Sequence, residues 1–149
     1  MHIRQALEGD VSRIAEILVF NNRVNYWPIF QDAQYSFGEM QVTTIANNLL
    51  RGHDTLANTW VYDDGIIKGF LQVEAGEIQK LYVDTFFQGA GVGAALIAYA
   101  ITQKQVEFVW ALEKNTRAIR FYNRHGFFAT GERIFEDGTT EYLIKLKRR

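Results

Sequence analysis

Gly89, Gly91 and Gly93 stand at alternate positions between an apolar run ending at Val83 and a run spaced like a helix, with Leu96, Ile97, Tyr99 and Ile101. Glycine has no Cβ, so the backbone there can turn tightly and press close to a ligand. A helix that starts at this point offers unpaired N–H groups and the positive end of its dipole. Strand, glycine loop and helix together describe an anion cradle, most often one for phosphate. Such a unit needs a packed domain around it. A chain of 149 residues, 48% hydrophobic, is expected to supply one domain with a proper core.

Composition removes several classes of function. The net charge is −1, and no basic arm or stripe is present, so nucleic acid is not expected as a partner. There is no cysteine, which excludes disulfides, thiolate metal sites and a cysteine nucleophile. His2, His53 and His125 lack ligand spacing, so no metal site is expected. No apolar run approaches the roughly 20 residues of a membrane helix. Residues 1–5 contain no apolar signal core, and a soluble cytoplasmic protein is expected.

The periodicity predicts the elements. Residues 2–6 read as a strand, and Asp10 as an N-cap for a helix carrying Val11, Ile14, Ala15 and Leu18. Residues 20–40 are irregular and aromatic-rich and contain the only proline, Pro28. A short helix is expected over 42–50. Residues 59–62 and 66–73 read as strands joined by Asp63-Asp64-Gly65, a hairpin signal. Residues 77–83 form the next strand after the Ala75-Gly76 turn. A helix to about residue 103, a strand over 108–112, a helix over 115–125 stopped by Gly126, and strands over 127–135 and 141–146 complete the order. The result is β-α-α-β-β-β-α-β-α-β-β, a mixed α/β domain with a largely antiparallel start.

Three phosphate readings compete for the glycine segment. The P-loop requires lysine and a hydroxyl after its last glycine, and neither is present. Gly89-x-Gly91-x-x-Ala94 satisfies the dinucleotide fingerprint, and Glu113 lies where a ribose-binding acid should be. Yet the loop after Val83 is too long for the tight dinucleotide turn, and too little chain follows Glu113 to build a doubly wound sheet. The third reading uses more of the chain. Gln88-x-x-Gly91-x-Gly93-Ala94 resembles the acyl-CoA pyrophosphate loop of the GNAT superfamily of acetyl-CoA-dependent N-acetyltransferases. Leu81-Tyr82-Val83-Asp84 before the loop matches as well. So do residues 115–122, Asn-Thr-Arg-Ala-Ile-Arg-Phe-Tyr, with Gly126-Phe127 after them. Two positions depart from the family pattern. Thr85 stands where many members have proline, and Ala90 where many carry Lys or Arg.

The resemblance implies a fold and a chemistry. The fold is a central, mostly antiparallel sheet of about seven strands flanked by about four helices, splayed between the fourth and fifth strands. The reaction is transfer of an acetyl group from acetyl-CoA to a primary amine of a small molecule or peptide, by direct attack in a ternary complex. Leu81, Tyr82 and Val83 would meet the pantetheine arm through their backbones. Gln88, Gly89, Ala90, Gly91, Val92, Gly93 and Ala94 would cradle the pyrophosphate, and Asn115 would contact the cofactor or act as a helix N-cap. Tyr122 would protonate the leaving thiolate; without the resemblance it reads as a core aromatic on the buried face of an amphipathic helix, next to Phe121. Glu77 would be the general base, or a solvated glutamate after a turn.

The acceptor is less marked. In GNAT proteins the segment between the first strand and second helix shapes the acceptor pocket with the last hairpin. Here that segment carries Tyr26, Trp27, Phe30, Tyr35 and Phe37, an aromatic set that suits an apolar or cationic amine or simply covers one end of the sheet. Glu132, Glu136, Asp137 and Glu141 on the last hairpin would attract a cation. A homodimer is compatible with the family. The reading from another class is a non-catalytic acyl-CoA-binding module.

Overall fold

The computed structural model describes residues 2–149, apart from the side chain of His53, so the expectation that His53 ligates no metal lies outside the described residues. The strands are β1 (Ile3–Gln5), β2 (Thr59–Asp63), β3 (Ile67–Glu74), β4 (Glu77–Val83), β5 (Phe108–Leu112), β6 (Phe127–Phe135) and β7 (Tyr142–Arg148). The α-helices are α1 (Val11–Phe30), α2 (Val42–Arg51), α3 (His53–Ala57), α4 (Val92–Lys104) and α5 (Thr116–Arg124). The strands form one sheet in the order β1-β2-β3-β4-β5-β7-β6. Every neighbouring pair is antiparallel except β4–β5. One parallel pair cannot make a doubly wound sheet, which disposes of the dinucleotide reading.

The sheet is covered on both faces, and strand periodicity decides which residue goes where. Val61 and Phe70 join a core with Ile14, Ile17, Leu18 and Ala46 from α1 and α2. Their neighbours Trp60, Leu71 and Val73 join a second core with Leu96, Ile97 and Ala100 of α4 and Phe127 of β6. This double burial explains the nearly unbroken apolar run of β3. Gly69 interrupts that run because a Cβ there would meet the Tyr82 carbonyl oxygen at 2.8 Å, with Leu96 and Val92 close behind.

β4 and β5 part company almost at once. Their pairing holds only at Glu77↔Phe108 and Ile78↔Val109. On the other side of β4 the partner of Gln72 is Lys80 and that of Val73 is Ile78, so Gln79 is an extra, bulged residue. A bulge bends its strand and ends regular pairing. Beyond it β4 continues beside β3, while β5 turns to β7 along its whole length. The gap that opens between them is the splay implied by the resemblance.

Two expectations need correction. The irregular segment from residue 20 is instead the second half of α1, followed by a π-helical turn over Gln34–Glu39. Pro28 sits in the last turn of α1, where its missing N–H frees the carbonyl of the exposed Val24. Asp10 does not cap α1 through its side chain. Its carboxylate accepts hydrogen bonds from the Leu7 N–H at 2.8 Å and from Arg4 at 2.7 and 3.0 Å, and the Arg4 guanidinium holds its pKa below the usual carboxylate range. Among the described residues the α-helices number five, the short α3 standing beside the about four of the expected arrangement.

Candidate active site

The gap between β4 and β5 is floored by β4, closed by the glycine loop and α4 on one side and by α5 on the other. It forms a cleft of about 450 Å³. Of the residues expected to bind the cofactor, Leu81, Tyr82, Val83, Gln88, Gly89, Gly91, Gly93, Ala94, Asn115 and Tyr122 line it. Two do not line it. Ala90 is an exposed residue at the loop's tip, and the Val92 side chain is buried in the core, 3% exposed, so Val92 offers only its N–H.

Backbone geometry gives the cleft its donors. The Asp84 N–H donates to the Lys68 carbonyl on β3 at 2.8 Å. Successive residues of a strand face opposite edges, so the N–H groups of Val83 and Leu81 face the gap. The Val83 carbonyl also faces it and accepts from Asn21 Nδ2 at 2.9 Å and Gln88 Nε2 at 3.2 Å. Gln88 therefore ties the loop to the end of β4. Gly89 and Gly91 take φ of 84° and 86°, a left-handed conformation that side-chain-bearing residues avoid. Gly91 begins α4 with no side-chain cap, which leaves the first-turn N–H groups directed at the cleft mouth. At Gly93 a Cβ would meet Phe121 at 3.2 Å, so the glycine lets α4 lie close against α5.

Cations missing from the loop arrive from α5. Arg117, Phe121 and Arg124 follow one another at i, i+4 and i+7 and all line the cleft. That spacing was legible in the sequence, but only the fold sets this helix face opposite the glycine loop. His125 lines the cleft too; burial and the neighbouring Arg124 push its pKa down, so at neutral pH the charge rests with the arginines. Two aligned arginines, an uncapped helix and a free strand edge fit an extended ligand carrying phosphates.

Tyr122 stands deep in this cleft on α5 and is 7% exposed. It packs edge-on against Phe121 at 5.3 Å and Phe127 at 6.0 Å. Burial, and after it Tyr26, raises its pKa, which keeps the phenol protonated at neutral pH. Asn115 caps α5 by accepting from the Ala118 N–H at 3.2 Å, and it also lines the cleft.

Glu77 is not brought to this cleft. It lies at the paired end of β4, opposite Phe108, and its carboxylate accepts from Gln79 Nε2 at 3.1 Å. Burial and then Glu74 raise its pKa, partly offset by Lys145.

A second cleft of about 870 Å³ lies between the end of α1 and the β6–β7 hairpin. Tyr26, Phe30 and Tyr35 line it, together with Asp32, Glu39, Glu136, Asp137 and Glu141. Trp27 does not; it packs edge-on against Phe37 at 5.4 Å. Glu132 also lies outside this cleft and pairs with Lys145 at 3.5 Å. The acidic residues of the π-helical turn and the hairpin are about 100 positions apart in sequence and meet only in the fold.

Comparison with known proteins agrees with this architecture. Residues 55–128 match the acetyltransferase (GNAT) domain family. Over 118 residues the chain is 27% identical to the peptidyl-lysine N-acetyltransferase YjaB of Escherichia coli (strain K12), covering 76% of this chain and 79% of that protein. The solution structure of apo-form YjaB from Escherichia coli shares the fold with a TM-score of 0.72 at 22% identity, covering 97% of this chain and 95% of that one. The crystal structure of PaiA N-acetyltransferase from Thermoplasma acidophilum in complex with coenzyme A shares it with a TM-score of 0.68 at 18% identity, covering 97% of each. With its splayed β4 and β5, its glycine-led α4 and its matching domain, the chain belongs to the GNAT superfamily of N-acetyltransferases.

Proposed function

We propose that this protein transfers an acetyl group from acetyl-CoA to a primary amine by direct attack within a ternary complex. The observation that carries the reading is one cleft that joins a free β4 edge, an uncapped α4 and a protonated Tyr122. Bound acetyl-CoA would supply the thioester carbonyl and a thiolate leaving group.

Each residue then has a task. The N-terminus of α4, with Arg117 and Arg124, holds the pyrophosphate. The Leu81 and Val83 N–H groups pair with the extended arm, and one of them polarises the thioester carbonyl as negative charge develops on its oxygen. Tyr122 gives its proton to the departing sulfur, a group with a pKa near about 8.5 by analogy with cysteine. The acceptor must shed a proton first, because an alkyl ammonium has a pKa near about 10.4. Glu77 takes that proton through water past Gln79, since the carboxylate stands outside the cleft.

The acidic aromatic cleft supports a cationic acceptor. The Escherichia coli relative is named a peptidyl-lysine acetyltransferase, and a lysine side chain is one such cation. The test is acetyl-CoA with a panel of amines, read by free thiol. Thiol and N-acetylated amine formed in equal amounts support the proposal. Acetyl-CoA binding without thiol release for any amine overturns it in favour of a non-catalytic binding module.

A further inference from the structure

A third cavity, of about 470 Å³, lies beneath α1 and α2 on the β3–β4 face. Tyr26 joins it to the acidic cleft and Tyr82 joins it to the β4–β5 cleft. Its apolar part is Ile14, Leu18, Met40, Ile45, Leu49 and Phe70. Against that background two polar groups stand without partners.

The first is Lys80. It faces the cavity and forms no ion pair among the described residues. Burial alone lowers its pKa, so no carboxylate compensates the loss of water. The second is Asn22, 5% exposed. Its Nδ2 donates to the Tyr35 hydroxyl at 3.4 Å, but its Oδ1 has no hydrogen-bond partner. A buried carbonyl oxygen left unpaired is costly, so such groups are rare unless a water or a ligand satisfies them. One cavity thus holds a cation without an anion and an acceptor without a donor.

We propose that this cavity binds the acceptor as a free amino acid, with its carboxylate on Lys80 and its amino group beside Asn22 and the Tyr26–Tyr82 hydroxyl pair. The inference rests on the acetyltransferase reading above. Lys80 and Tyr82 are two residues apart on one strand and share a face, about 7 Å from Cα to Cα. That interval sets the carboxylate site beside the level at which Tyr82 borders the thioester cleft. A cationic side chain on the amino acid would extend past Tyr26 into the acidic cleft. Decarboxylated amines would leave Lys80 uncompensated and bind less well.

The test compares arginine with agmatine, lysine with cadaverine, and leucine with isoamylamine, in the wild type and in Lys80→Gln. Acetyl transfer is read by free thiol, and binding of each compound by calorimetry. The expected wild-type result is a KM at least about tenfold lower for each amino acid than for its decarboxylated counterpart. Lys80→Gln should abolish that ratio by raising the KM of the amino acids, and a circular-dichroism spectrum like that of the wild type shows that the variant folds. Equal KM values for the members of each pair, or a ratio that survives Lys80→Gln, overturn the inference and leave the acetyltransferase reading standing. If no compound releases thiol, that reading fails and calorimetry alone decides the cavity. Amino-acid binding that Lys80→Gln removes upholds the carboxylate site, and its absence overturns it.

Discussion

The Tyr26 hydroxyl lies 3.2 Å from the Tyr82 hydroxyl. One ring comes from α1 and the other from β4, and each borders two cavities. Tyr26 faces the acidic cleft and the Lys80 cavity; Tyr82 faces the Lys80 cavity and the β4–β5 cleft. The pair is therefore the wall at which an amine from one side would meet a thioester from the other. Burial raises both pKa values, so both phenols are neutral. Removing the Tyr26 hydroxyl leaves Tyr82 with an unpaired O–H. Tyr26→Phe should cost about 1–2 kcal/mol in denaturant unfolding. It should also raise the KM for amine several-fold with the Kd for acetyl-CoA unchanged.

Tyr122 acts on a different step and its variant should look different. Phe at this position keeps the edge-on packing against Phe121 and Phe127 and loses only the hydroxyl. Tyr122→Phe should lower kcat by about 10²–10⁴-fold, the usual contribution of a general acid. Calorimetry should show nearly unchanged CoA binding. Full turnover in the variant would reduce Tyr122 to a core aromatic.

CoA affinity should track the α5 arginines rather than the loop. Arg117→Ala and Arg124→Ala should each weaken CoA about tenfold, or about 1.4 kcal/mol, with a larger effect at low salt. Ala90→Arg should tighten binding several-fold by restoring a cation at the exposed tip. Affinities indifferent to all three changes, measured by calorimetry at two salt concentrations, would move the phosphates elsewhere.

The pH–rate profile tests Glu77. A base works only when deprotonated, so kcat/KM should rise with pH through its pKa. Burial and Glu74 set that pKa above the ordinary glutamate value. Glu77→Gln should remove this acidic limb and leave the rise due to the amine itself. A profile unchanged in shape would take Glu77 out of the mechanism.

The proposed cofactor half of the site was legible in the sequence because it is local. Val83, the glycine loop and α4 are contiguous, and Asn115 to Tyr122 is one further stretch. The acceptor half is not local. Tyr26 and Glu136, or Asn22 and Lys80, have no spacing that marks them as neighbours. Pro28 misled in a physical way: it reads as a helix breaker, but in the final turn it frees one carbonyl on an exposed residue. Glu77 kept its expected place on β4, yet the bulge at Gln79 opens the strands only beyond it, so the carboxylate stays at the closed end.

Direct attack is the central claim, and initial-rate kinetics test it most directly. Rates should be measured with acetyl-CoA and amine both varied. The account predicts intersecting double-reciprocal lines, the mark of a ternary complex, with one amide formed per thiol released. Parallel lines, which indicate an acetylated enzyme intermediate, or no thiol release at all, would contradict it.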